Sequence, residues 1–514
     1  MRELRTRLTV LIVAAGAALG AAPCTASAEG VKGQKGTEET LLVGNNWDGT
    51  ADVVDPVGFK RITRINIVPD LAIRQAEIMS DPVDAGFYLG IRQLIGEGND
   101  QLVDDMFTSP DGRFMYVSRP SLKDVVAFNL RTKQIHWRTE VEGNRADHMA
   151  ISPDGKRLLV SASTASKVHV IDTADGKIVA NFESGDQPHE SNYSKDGSTI
   201  FHASIGTVYT PTDDPSQDGT KGKRYFQVVD AKTYKVLSRV EMGKKLAEAG
   251  YTNMSSAVRP MAITPDERYA YLQISFFHGF VEYDVRNARV TRLAALPLTD
   301  KSSRLRRDEY VLDSAHHGLS INPAGTKLCA AGTMSDYAAI VNRSDFAYTI
   351  QHVGDKPYWS TNSGDGKNCF VSVSGEDRVA VISYDTGREI ASIAVGDHPQ
   401  RMRLGPVRSE FLPGDRVAPA VSRARVVRNR RGRGRSLRVR LSETARLKVD
   451  VRRVRRGGRT RRVRLLRTGL RSGTTRVRLR RLPVGRYRLE VRATDPAGNT
   501  AAPTRVRYRA RRAG

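Results

Sequence analysis

Cysteine is nearly absent from this chain: Cys24, Cys329 and Cys369 are all it has. With no CxxC or CxxCH there is no thiol framework for a zinc ribbon or covalently attached haem. HExxH, GxSxG and a glycine-rich phosphate loop are missing too, which weakens the hydrolase and nucleotide-binding readings. Long apolar runs are almost as scarce. The one in the chain, Leu8 to Ala22, falls short of the ~20 residues a spanning helix needs. Arg2, Arg5 and Arg7 precede it and Ala26-Ser27-Ala28 follows, the pattern of a secretory signal over residues 1–28, with a membrane anchor as the alternative. Cys24 follows Pro23 rather than a small residue, so no lipid anchor is expected. The mature protein is expected to be secreted, extracellular or wall-associated.

Acidic residues are scarce in one region only. From Arg416 to Gly514 there are 34 Lys and Arg against 4 Asp and Glu, whereas the rest of the chain has 48 against 52. Two different proteins are joined near Phe411-Leu412-Pro413-Gly414-Asp415, which divides the chain into a signal (1–28), a first domain (29–410) and a basic second domain (411–514).

The first domain is built from one repeating grammar. In Met149 to Gly185, apolar and polar residues alternate around Leu158, Val168 and Ile178, broken by Ser152-Pro153-Asp154-Gly155 and Asp175-Gly176. Period two punctuated by such turns means short antiparallel strands. The turn recurs at Ser109-Pro110-Asp111-Gly112, Ser194-Lys195-Asp196-Gly197, Thr264-Pro265-Asp266-Glu267, Asn322-Pro323-Ala324-Gly325 and Ser363-Gly364-Asp365-Gly366. Its period, about forty residues, is that of propeller blades. An incomplete seventh copy starts at Leu41 and lacks an inner strand, which His398 to Leu404 supplies. The expectation is an all-β chain: a seven-bladed β-propeller closed by its C-terminal strand, then a small sandwich.

These repeats resemble the YVTN-type β-propeller family, whose unit reads like SPDGKRLYVTN followed by VxVIDTxTGK, over residues 41 to 404. The tetrad departs from the family's: the blades read LLVS, MYVS, IFHA, AYLQ, LCAA and CFVS. The resemblance implies a propeller fold and leaves function open between surface proteins, binding modules and enzymes. Propellers similar to it include lactonases, a lyase, and haem or copper reductases.

The connections are uneven. The long ones, Pro69 to Val103, Thr207 to Lys223, Lys244 to Ala257 and Pro297 to Ala315, all belong to one face, and the first has a helical look. Insertions gathered on one face mark a binding face. The inner strands start at that face with Asp104-Asp105, Asp147-His148, His189-Glu190, Arg259-Pro260, His316-His317 and Tyr358-Trp359. The closing blade adds His398 and Arg401, and His278 reaches in from a loop. Six of the ten histidines thus gather at one end, while His136, His169, His202 and His352 are scattered through strands.

Three chemistries are open for this face. A divalent or copper ion would be ligated by His148, His189, His317 and His398, with Asp105, Asp147 or Glu190 as supporting carboxylates. An acid–base site would use a histidine beside Glu190, with Arg259 or Arg401 holding an anionic group and Trp359 as an apolar wall. Otherwise the polar residues only line a wet channel mouth. The expected role is a ligand- or partner-binding module at the cell envelope, taking a small ligand or an envelope protein. The alternative is a propeller enzyme (lyase, lactonase-like or metal-assisted oxidoreductase) whose catalytic residues come from His148, His189, Glu190, Arg259, His317 and Arg401.

Cys329 and Cys369 sit on neighbouring blades, offset by one residue relative to their turn glycines. That offset faces them toward each other, and a disulfide or two buried thiols are both compatible with it.

From Val417 on, apolar and arginine residues alternate in about seven short strands, which reads as an immunoglobulin- or fibronectin-like sandwich with Tyr487 as a candidate corner tyrosine. Its charge suits an anionic polymer or surface; the alternative is that arginine merely fills outward positions. Sequence-specific DNA binding is not expected, since there is no reading helix and too few aromatics for base stacking. The protein is expected to be a monomer.

Overall fold

The computed structural model describes residues 30–208, 215–412, 419–428, 435–442, 445–455, 459–471, 473–479, 482–494 and 500–510. The signal expected over 1–28 and most of the expected domain junction lie outside them. The described chain is all-β with three short helices, and no helix among the described residues is long and apolar enough to cross a membrane.

Seven four-stranded antiparallel sheets fill the span from Thr37 to Arg408, giving it the character of a β-propeller. Six are consecutive meanders. They begin with the strands Met106–Thr108, Ala146–Ile151, Pro188–Tyr193, Val258–Ile263, Leu319–Ile321 and Pro357–Asn362. The remaining sheet joins the two ends of the span, pairing Pro399–Arg408 with Thr37–Asn45, which leads on to Thr50–Asp55 and Lys60–Asn66.

The turn sequence explains the sheets locally. In the Ser152–Gly155 turn the Asp154 carboxylate accepts from the Ser152 hydroxyl at 2.6 Å and from the Lys156 amide at 3.1 Å. The Ser152 hydroxyl in turn accepts from the Arg157 amide at 2.9 Å. Gly155 supplies the left-handed backbone, φ +73°, that turns the chain back. The Ser109, Ser194 and Ser363 turns repeat this bonding.

Each sheet is then held by the apolar faces of its neighbours. Leu42 and Val53 pack with Met115 and Phe128, Val125 and Ala127 with Leu158 and Val160, and Leu41 and Val43 with Phe370 and Val381. Counting the joining sheet as the first and the meanders as the second to seventh, Cys329 and Cys369 form a disulfide between the sixth and seventh sheets, with Cα atoms 6.5 Å apart, inside a cluster that includes Ala338, Val371 and Ala380. That separation is within the reach of a bridge because small residues let the two sheets approach closely.

The long insertions are partly helical. The first forms the helices Leu71–Ser80 and Pro82–Leu94, the second started by Asp81, whose side chain accepts from the amides of Val83 and Asp84. The basic tail has seven strands among its described residues, in a three-stranded and a four-stranded sheet around one core that includes Leu437, Leu447, Val449, Leu489 and Val491. Tyr487 is buried there and donates its hydroxyl to the Pro483 carbonyl at 2.8 Å. Arginines stand opposite one another on its four-stranded sheet: Arg462, Arg452, Arg488 and Arg507 form one row in register.

Candidate functional site: a roofed chamber at the sheet centre

The first strands of the seven sheets can be matched through their register partners on the second strands: Met106 with Val117, Met149 with Val160, Ser191 with His202, Met261 with Leu272, Leu319 with Ala330, Ser360 with Val371, and Met402 with Val43. Two residues before these positions stand Asp104, Asp147, His189, Arg259, His317, Tyr358 and Gln400. All seven line one cavity of about 20 Å³. His148 and Arg401, from the next layer of the same strands, complete its floor, and Arg145 and Gln187 also border it. The register shifts beside this level in five of the seven sheets, and such bulges re-aim side chains out of the regular alternation.

The insertions roof the cavity. Ile95 and Gln101 come from the first insertion, Val208 from the second with Ile205 just before it, and Leu312 from the last. Ile205, Val208, Ala257 and Leu312 form their own apolar cluster. Two insertions are tied by the buried ion pair of Lys221 with Asp313 at 2.7 Å, and Glu97 reaches Lys356.

Three histidines converge. The ring centroids lie 3.8 Å apart for His148 and His189, 5.8 Å for His189 and His317, and 6.2 Å for His148 and His317. All three are at most 4% exposed. Burial drives each pKa well below the usual imidazole value, and Arg401, Arg259 and the neighbouring imidazoles push the same way. They are therefore neutral. Nε2 of His148 and Nδ1 of both His189 and His317 have no hydrogen-bond partner.

The charges around them are paired with one exception. Arg401 pairs with Asp104 and Arg145 with Asp147, while Arg403 holds Asp105 through two bonds of 2.9 and 2.8 Å. Arg259, 1% exposed, is bonded among the described residues to the Ser314 hydroxyl and the Leu312 carbonyl alone, and its Nη1 has no partner among them. Burial pushes the Asp104 carboxyl up to about 7 against the pull of Arg401, and its Oδ2 is unpartnered. Glu190 is also raised to about 7 by burial.

Several expected site residues lie elsewhere. His398 is not with the other three: it precedes the closing strand at φ +54° and stacks on Trp47 with centroids 3.7 Å apart. The matched position in that strand is Gln400, two residues later. His278 bonds the Tyr310 hydroxyl at 2.9 Å and the Ser335 hydroxyl at 3.1 Å, outside the cavity. Asp105 is consumed by Arg403. Glu190 lies one layer down and accepts from Asn192 at 3.0 Å. Trp359 also lies one layer down, its ring facing the guanidiniums of Arg401 and Arg403 at 5.1 and 4.9 Å. Gln400 and Arg145 escaped the sequence reading, and counting positions from the second strand of the joining sheet would have found Gln400.

No protein-family model matches this chain, and no curated protein matches it. Among solved structures, a chain described as Kuenenia stuttgartiensis Hydrazine Synthase is similar over 60% of this chain and 96% of that one, at 15% identity and a TM-score of 0.45.

Proposed function

We propose that the first domain is a closed seven-bladed propeller whose roofed centre binds a small ligand, with Asp104 available for proton transfer and histidine for hydrogen bonds. The observation that carries this is the ring of seven side chains, one from each sheet, around a cavity covered by three insertions. Closure is supported by the joining sheet and by apolar clusters between each sheet and the next, the last and first included. Asp104, raised to about 7, is the group poised to move a proton near pH 7, and the neutral imidazoles beside it can donate hydrogen bonds to, or accept them from, what it acts on. The ligand site serves an exported protein, and the tail, an immunoglobulin- or fibronectin-like sandwich, holds it to an anionic polymer or surface of the envelope. The YVTN-type repeats supply the scaffold.

A metal is the second reading, favoured because one ring nitrogen from each of His148, His189 and His317 lies within 4.8 Å of the others. A face of three nitrogens around zinc has edges of about 3.3 Å, shorter than that bound. Against it, Arg401 Nε donates to His148 Nδ1 at 3.2 Å. The neutral ring then carries its proton on Nε2, which leaves no lone pair there for a cation.

The test is a thermal-shift survey of small ligands and first-row metals on the wild type and on a His148→Ala/His317→Ala variant, with elemental analysis of both. The account expects a ligand-induced shift in the wild type that the variant loses. No shift with any ligand or metal, together with sub-stoichiometric metal in both proteins, leaves only a wet channel mouth.

A further inference from the structure

Six polar atoms on described residues that line the chamber lack a partner: Asp104 Oδ2, Nδ1 of His189 and of His317, and three that can donate. The donors are Arg259 Nη1, Arg145 Nε and Nε2 of His148, the last carrying its proton because Arg401 donates to Nδ1 of the same ring. Arg145 has its carboxylate in Asp147. Arg259 has none: among the described residues its partners are one hydroxyl and one carbonyl. A guanidinium cannot shed its proton, and a buried charge left uncompensated is costly. The insertion that roofs the chamber also supplies both partners of Arg259, Leu312 and Ser314. Among the described residues, Arg259 thus stands at the cavity without a carboxylate of its own, although Asp104 and Asp147 also line it.

We infer that the chamber takes a small oxyanion, bound by Arg259 Nη1 and His148 Nε2. The inference deepens the ligand site proposed above and rests on it. A cavity of about 20 Å³ has room for one or two waters, so a compact species such as formate fits where a sugar, a nucleotide or an extended carboxylate does not. The ion completes the charge pairing that the protein carries through in every other arginine of this centre: Arg145, Arg401 and Arg403 each have an aspartate. Asp147, the carboxylate closest to the His148 Nε2, stops at 3.8 Å, beyond hydrogen-bond reach, so that donor is also left for the ligand.

The experiment titrates the full chain at constant ionic strength with three probes: sodium formate, its neutral isostere formamide, and cobalt(II). Binding is followed by calorimetry and by thermal shift. Saturable formate binding at one per chain, with formamide at least tenfold weaker, is expected. Arg259→Gln should weaken formate at least tenfold and abolish the preference over formamide, and Arg259→Lys should keep part of it. Circular dichroism and the unfolding midpoint of each variant separate loss of binding from loss of fold; if Arg259→Gln does not fold, the formate–formamide preference of the wild type and Arg259→Lys decide. Formamide bound as well as formate, or cobalt alone bound, overturns the oxyanion while the chamber as a ligand site stands. No binding of any probe overturns both. Formate binding untouched by Arg259→Gln places the ion elsewhere and overturns the inference as well.

Discussion

Arg401 and His148 stand 253 residues apart in the sequence, yet the Arg401 guanidinium donates to the His148 imidazole at 3.2 Å while pairing with Asp104. One side chain of the closing strand thus fixes the tautomer of a histidine in the third sheet and neutralises a carboxylate in the second.

Removing it should be costly. Arg401→Met leaves Asp104, 1% exposed, without its cation, and breaking a buried pair costs about 3–5 kcal/mol. Urea unfolding of the variant checks this, and a loss below about 1 kcal/mol would show that the pair does not hold the centre together. Arg401→Lys should recover part of the stability by restoring a charge.

Reduction should also loosen the sixth and seventh sheets. The Cys329–Cys369 bridge closes a loop with a sequence separation of 40, for which the chain-entropy account gives about 4 kcal/mol. Cys329→Ala/Cys369→Ala, or reductant, should lower the unfolding midpoint accordingly. Two free thiols found by mass spectrometry of unreduced, alkylated protein would refute the bridge.

Acid should destabilise the protein through its buried histidines at a pH where, apart from raised ones such as Asp104 and Glu190, the carboxylates are still ionised. His202 is fully buried, its ring nitrogens bonded to the hydroxyls of Ser184 and Ser191 at 2.8 and 2.9 Å, and burial lowers its pKa to about 3. Burial likewise lowers His398 to about 3 and His278 to about 4. The unfolded chain takes up these protons near pH 6.5 and the folded one does not. Stability is therefore complete above about 6.5 and falls as the pH drops, by about 2 kcal/mol per such histidine at pH 5. Urea midpoints at pH 7 and pH 5 test this. His202→Gln should flatten the dependence by one proton's share, and an unchanged slope would contradict the assignment.

The arginine row of the tail should be read by salt. Like charges directly opposite one another on a sheet are destabilising, and Arg488 faces both Arg452 and Arg507. Binding of the full chain to polyphosphate should weaken steeply with salt. Arg488→Gln/Arg492→Gln/Arg507→Gln should reduce the slope of log K against log salt by about 2. A slope that does not change would mean these arginines only fill outward positions.

The repeats were legible because alternation and the Ser-Pro-Asp-Gly turn are local. Counting back from each turn grouped His148, His189, Arg259 and His317, and all four border one cavity. It paired His316 with His317, whereas the ring position is His317 followed by Gly318; His316 instead bonds the Tyr337 hydroxyl at 3.1 Å. The count also failed in the closing strand, which has no following turn to count from. There His398 was favoured over Gln400, although its ring belongs to Trp47. The partners of the arginines were not legible at all, since Asp104 and Arg401 lie 297 residues apart, and neither was the roof, which assembles only when three insertions meet over one cavity.

The most direct test is a crystal structure of the protein grown in formate, with anomalous data collected across the first-row metal edges. The account predicts density for a small ion within hydrogen-bond distance of Arg259 Nη1 and His148 Nε2, with no anomalous peak beside it. A metal peak among His148, His189 and His317, or a cavity holding only water, would contradict it.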